Sequence, residues 1–221
     1  MCGLIFSWPR AAVVLVYSSK LIDPPEFSAV SGVRWREFVW IIVAFAGVML
    51  LGTLKGIIVA IAVSLLALAY DMANPVVYVL GRKPSTNVFR PASKEHPEDE
   101  TFPGLLMIQL EGRIFFVNAE LIAQKIRPLI TQANPKVIAL DLSGVNDLEY
   151  TALKMLTEAE RKNRDRGIFL WLVGLHPQVL ATVQRSPLGA TLGRDRMFFN
   201  LEQAVAKYQT SLKDDGAASP G

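Results

Sequence analysis

"VIALDLSGVNDLEYTAL", residues 137 to 153, moves from one kind of order to another. Val137 to Leu142 is apolar apart from Asp141, and the missing polar alternation marks a strand buried on both faces. Gly144, Asn146 and Asp147 then carry turn chemistry. From about Thr151 to Arg166, Leu153, Leu156 and Ala159 return at helical spacing. Thr151 stands at the join, where a Thr is a natural N-cap.

The same pattern repeats outward. "IFLWLV" (168–173) reads as a second buried strand, "PQVLATVQRS" (177–186) and "LEQAVAKYQTSL" (201–212) as helices, and "RMFF" (196–199) as an edge strand. Upstream, "LLMIQLE" (105–111) and "RIFFV" (113–117) flank Gly112 as a hairpin would. In "AELIAQKIRPLITQA" (119–133), Ile122, Ile126, Leu129, Ile130 and Ala133 predict a helix capped by Asn118 and kinked at Pro128. Alternating strands and helices imply an α/β domain over 104–212, a mixed sheet flanked by helices. The tail, 213–221, is expected to be disordered.

The amino-terminal part differs in composition. Hydrophobic residues make up 51% of the chain, and the first 80 residues hold only five Lys/Arg and four Asp/Glu. "FVWIIVAFAGVMLLGTL" (38–54) and "IIVAIAVSLLALAY" (57–70) are separated by Lys55 and Gly56. One helix over both would be about 50 Å long, against a hydrocarbon core of about 30 Å, with a lysine at its middle. A hairpin turning at Lys55–Gly56, with arms reaching back to Trp35 and forward to about Ala73, removes both objections. Arg34 and Arg36 before it, and Arg82, Lys83 and Arg90 after it, place both outer ends on the cytoplasmic side. The competing reading, a buried hairpin in a soluble protein, must cover runs that are apolar all round. Residues 1–22 read as a truncated or interfacial membrane segment, and "DPPEF" (23–27) forbids a continuous helix.

Five prolines and "KEHPEDE" make 74–103 an expected extended linker. His96 has no partner at metal-ligand spacing and reads as a solvated loop residue; Cys2 stands alone. A net charge of +3, evenly spread, does not suggest nucleic acid. No phosphate-cradling glycine loop, nucleophile elbow or metal-ligand cluster is present, so neither an enzyme nor a cofactor is expected.

"FFVNAE" (115–120), "VIALDLSGVNDLEYTAL" and "GRDRMFFNLEQAVA" (193–206) resemble the STAS domain at the carboxyl end of SulP anion transporters. "WPRAAVVLVYSSKLID" (8–23) and residues 38–75 resemble the last membrane segments of the same family, in family order. The resemblance implies a partial transporter membrane region over 1–73, followed by a STAS domain serving assembly and regulation. It implies secondary transport of sulfate, a related oxyanion or bicarbonate, with the anion site built by helices preceding residue 1. The alternative is a membrane-anchored STAS module that does no transport itself. Expected partners are the lipid bilayer, the rest of a transporter or a homodimer partner, and a cytosolic regulatory protein. The expected location is a bacterial inner or plasma membrane with the STAS domain in the cytoplasm.

Some STAS regulators are phosphorylated on a Ser or Thr in the turn after the buried strand, and Thr151 matches it, with Glu149 where the family has Asp. A phosphate there would meet free N–H groups at a helix start, while capping alone also explains a threonine. Asp141, Asn146, Asp147 and Glu149 make an acidic, polar rim at the carboxyl end of the strands, where open α/β sheets present ligands and partners. A surface loop without a role is the competing reading.

Overall fold

The structure, a computed structural model, describes Val13 and residues 35–217. The readings of residues 1–22 and of "DPPEF" lie outside the described residues, Val13 apart. The chain divides into two compact units, 1–69 and 70–221. Helix α1 spans Trp35–Leu51 and α2 spans Thr53–Ala73, continuing past the boundary.

The turn between these helices is Gly52, at φ +80, rather than Lys55–Gly56. Only glycine takes that conformation without steric cost, so one residue reverses the chain. Gly56 already donates to Gly52 O at 2.8 Å, placing Lys55 inside the first turn of α2. Gly47 of α1 lies beside Val59 of α2, so the two helices run back along one another. Among the described residues one helix, Leu54–Ala73, is long and apolar enough to cross a membrane. Leu54, Ile58, Leu65, Leu66 and Leu68 along it are all exposed, unlike the residues of a core helix.

The second unit is a six-stranded mixed sheet in the order β2-β1-β3-β4-β5-β6. The strands are β1 (Val77–Arg82), β2 (Phe89–Pro91), β3 (Leu105–Glu111), β4 (Val137–Gly144), β5 (Phe169–Val173) and β6 (Met197–Phe198). Strands β3 to β6 are parallel; β1 is antiparallel to β3, and β2 to β1. The helices are α3 (Phe116–Ala133), α4 (Tyr150–Arg164), α5 (Pro177–Gln184), α6 (Pro187–Leu192) and α7 (Leu201–Ala217).

Alternation along the strands builds two cores. Leu106, Ile108, Leu110, Ile138, Leu140, Leu142, Leu170 and Leu172 face one way, into the core that holds Ile122, Leu153, Val179, Val183 and Leu188 of α3 to α6. Leu105, Met107, Val137, Ala139, Trp171 and Val173 face the other, against Leu201, Ala204, Val205 and Tyr208 of α7. A strand that is apolar at every position is therefore covered on both sides.

Several further expectations change. The stretch 74–103 holds β1 and β2, because "VVYVL" supplies both faces and the prolines bracket the strands instead of breaking them. Arg82 and Glu100 exchange backbone hydrogen bonds, and Arg90 grips Asp99 through two bonds of 2.8 Å, folding 92–103 back along β1. "RIFFV" is no strand: Ile114 makes one parallel bridge to Leu148, and α3 starts at Phe116. Asn118 sits inside α3 and is 1% exposed, accepting from Phe115 N at 2.9 Å and donating to Arg113 O at 2.8 Å.

Helix α3 runs through the exposed Pro128 to Ala133. Lys213 to Ala217, expected in a disordered tail, belong to α7: once its buried face nucleates the helix, each further residue adds a hydrogen bond. Residues 218–221 lie outside the described residues. His96 approaches Glu98 at 3.5 Å, and no group of metal-binding side chains occurs among the described residues.

Candidate functional site

The loops leaving β3 and β4 meet at the carboxyl end of the sheet, where a parallel sheet leaves backbone groups unpaired. Here they pair with each other. Gly112 N donates to Gly144 O at 2.9 Å, Ile114 N to Asp147 O at 3.2 Å, and Glu149 N to Ile114 O at 3.0 Å. Leu148 and Ile114, bridged between these bonds, are buried at 4% and 7% exposure.

The two acidic side chains of the β4–α4 loop face its neighbour. Asp147 Oδ2 accepts from Arg113 Nη2 at 2.7 Å, an exposed pair on the β3–α3 turn. Glu149 is the N-cap residue of α4, yet its side chain makes no bond to that helix. Its Oε2 accepts instead from Phe116 N, the first residue of α3, at 3.1 Å. That orphan donor has no partner inside its own helix, and a carboxylate at the positive end of α3 is favourable. Thr151 is therefore not the cap: it lies one residue inside α4, with its side chain exposed.

Asp141 does not belong to an exposed rim. It lies within β4, opposite Gln109 and Val173, and is 7% exposed. Its Oδ1 accepts from Ser143 N at 2.9 Å, turning the strand end. Ser143 O in turn lies 2.8 Å from His176 Nε2, at the start of α5. Asn146 is exposed. The four candidates thus divide into two loop anchors (Asp147 and Glu149), one buried strand carboxylate and one solvated amide. Phe116 escaped the sequence reading because it acts through a main-chain N–H, which carries no residue-type signal, and Arg113 and His176 because the partners of their side chains, Asp147 and Ser143, lie 34 and 33 residues away. Gly174, at φ +67 beside Ser143 and Asp141, was the available hint of close approach.

Residues 96–204 match the family described as STAS domain. Over 90% of its length this chain is 28% identical to High affinity sulfate transporter 2 of Stylosanthes hamata, of which it covers 32%. It is 25% identical over 92% of its length to Probable sulfate transporter 4.2 of Arabidopsis thaliana, covering 33%. The murine Solute Carrier 26 family member A9 anion transporter, in the inward-facing state, superposes on 90% of this chain and 32% of its own, with a TM-score of 0.73 at 20% identity. That likeness is one of fold. The chain spans about one third of the length of the curated relatives it matches.

Proposed function

We propose that this chain, in which residues 96–204 are a STAS domain and which is homologous to the carboxyl-terminal part of sulfate transporters, works as the membrane-anchoring and STAS portion of a secondary anion transporter. The substrate class is sulfate, a related oxyanion or bicarbonate. One observation carries the reading: the similarity to relatives named sulfate transporters runs through the apolar helices as well as the STAS domain, over 90% of the chain. Helices α1 and α2 sit in the bilayer, the STAS domain lies in the cytoplasm, and the anion site belongs to the part of the relatives that this chain does not match. Half-helix ends that face an anion in transporters of this architecture have no counterpart in the α1–α2 hairpin.

The STAS domain serves assembly, with a second copy or the remaining transporter helices, and regulation. Asn146 and the exposed side of the Asp147–Glu149 loop are the surface offered to a cytosolic partner, and Thr151 is the residue a regulatory phosphate would modify. Purified chain in liposomes tests the division of labour: sulfate and bicarbonate uptake should match protein-free vesicles. Uptake should appear when the membrane helices of a homologous transporter are supplied with it. Saturable uptake by the chain alone would overturn the assignment of the site. No gain with the added helices would favour a membrane-anchored STAS module that only binds.

A further inference from the structure

The seam between α3 and α4 opens into a groove of about 520 Å³, within the size range of small-molecule sites. Its walls are apolar: Ile122 and Ile126 on α3, Ala152, Met155 and Leu156 on α4, with Leu140 of β4 beneath. The groove follows α4 from Thr151 to Asn163, about 18 Å of helix. Met155, flexible and polarisable, can adjust to an irregular occupant.

The rim is charged, but most of its charge is matched. Arg127 pairs with Glu120 at 3.1 Å, and Arg161 and Lys162 with Glu158 at 2.8 and 3.5 Å. Glu160, 2% exposed, lies 3.6 Å from Arg164 and 3.7 Å from Arg196. Among the described residues, Lys154 and Arg166 line the groove without an ion-pair partner. The uncompensated charge on this apolar slot is therefore positive. Lys154 lines the groove three residues after Thr151, toward the amino-terminal end of α4, where the helix dipole favours an anion.

We propose that the groove binds one long-chain fatty acid anion, its chain along the α3–α4 seam and its carboxylate at Lys154. The apolar walls take the chain out of water, and the free ammonium fixes its direction. A phosphate on Thr151 would set negative charge at the same mouth and weaken the complex. The proposal does not depend on the transport reading.

The test is photolabelling of the full chain in nanodiscs with a diazirine analogue of palmitate, with adducts mapped by mass spectrometry. Adducts are expected on Ile126, Met155 or Leu156, reduced several-fold by excess palmitate, while adducts on α2 from bulk lipid are not competed. Lys154→Glu, on an exposed position, should lower groove labelling several-fold, and Ala152→Phe should remove it by filling the slot. Adducts confined to α1 and α2, groove labelling that palmitate does not compete, or undiminished labelling in Lys154→Glu would each overturn the proposal.

Discussion

Glu149 caps a helix that is not its own: its carboxylate accepts from Phe116 N at 3.1 Å, although Glu149 is the N-cap residue of α4. One side chain thereby ties the start of α4 to the start of α3. Removing it frees a helix-start donor and loosens two loops together.

Glu149→Ala should destabilise the domain by about 1 kcal/mol, the usual cost of a lost cap, and Glu149→Gln by less because an acceptor oxygen remains. Hydrogen exchange of the full chain should show faster exchange at Phe116 to Asn118 in the alanine variant, with β5 unchanged. Equal protection in wild type and Ala variant would show that the carboxylate serves partners rather than α3.

The strand–turn–helix order of the α/β domain was legible because each strand and helix carries its own period: Val137–Leu142 and Phe169–Val173 are apolar at nearly every position, while α4 returns Leu153 and Leu156 to one side. What escaped were features decided by distant partners. Strand β1 exists because β3 lies beside it, and its short run between prolines resembles a linker until that pairing is known. The charge of Lys55 is a louder signal in the sequence than the positive φ that makes Gly52 the turn. Asp141 leaves the rim for a related reason: it and Glu149 look free in sequence, while one oxygen of each accepts from a main-chain donor, Ser143 N and Phe116 N.

Tyr208 of α7 donates to Pro103 O at 2.8 Å, and its burial raises the phenol above its ordinary range. Gly104, at φ +82, leaves room for that hydroxyl; a methyl group there would collide with it. Gly104→Ala should therefore cost about 1 to 3 kcal/mol, combining backbone strain with the clash. Tyr208→Phe alone should cost about 1 kcal/mol for the lost hydrogen bond. In the double variant the clash is gone, so the combined loss should fall short of the sum, as chemical denaturation would show. Strict additivity would mean that the hydroxyl and the glycine are uncoupled.

The strap from 92 to 103 makes the fold acid-sensitive. The hydrogen bond from Arg90 holds Asp99 below the usual carboxylate range, and Asp99 raises Arg90 in return. A carboxylate with a lowered folded pKa contributes stability above its unfolded value, and that contribution disappears as pH falls through the folded value. The strap's share should thus be complete at neutral pH and decline below about pH 4. Thermal melts from pH 6 to pH 3 should fall less steeply for Asp99→Asn, which starts from a lower melting temperature. An unchanged acid slope in that variant would remove Asp99 from the account.

The Gly52 turn fixes what topology mapping should find. Because α1 and α2 reverse direction at a single residue, both outer ends of the hairpin lie on one side of any bilayer it spans. Arg82, Lys83 and Arg90 follow α2, and because positive residues favour the cytoplasmic side, Lys55 is expected to label from the opposite side. Its place in the first turn of α2 lets the long side chain reach back to the headgroups, avoiding the cost of a buried ammonium. A Lys55→Cys chain in a Cys2→Ser background should react with a membrane-impermeant maleimide from outside, whereas a cysteine at Ser85 should react only after permeabilisation. Gly52→Val should disturb this pattern, since a β-branched residue cannot hold φ +80 without strain. Labelling of position 55 only from the side that carries position 85 would invert the hairpin and exclude the proposed membrane arrangement.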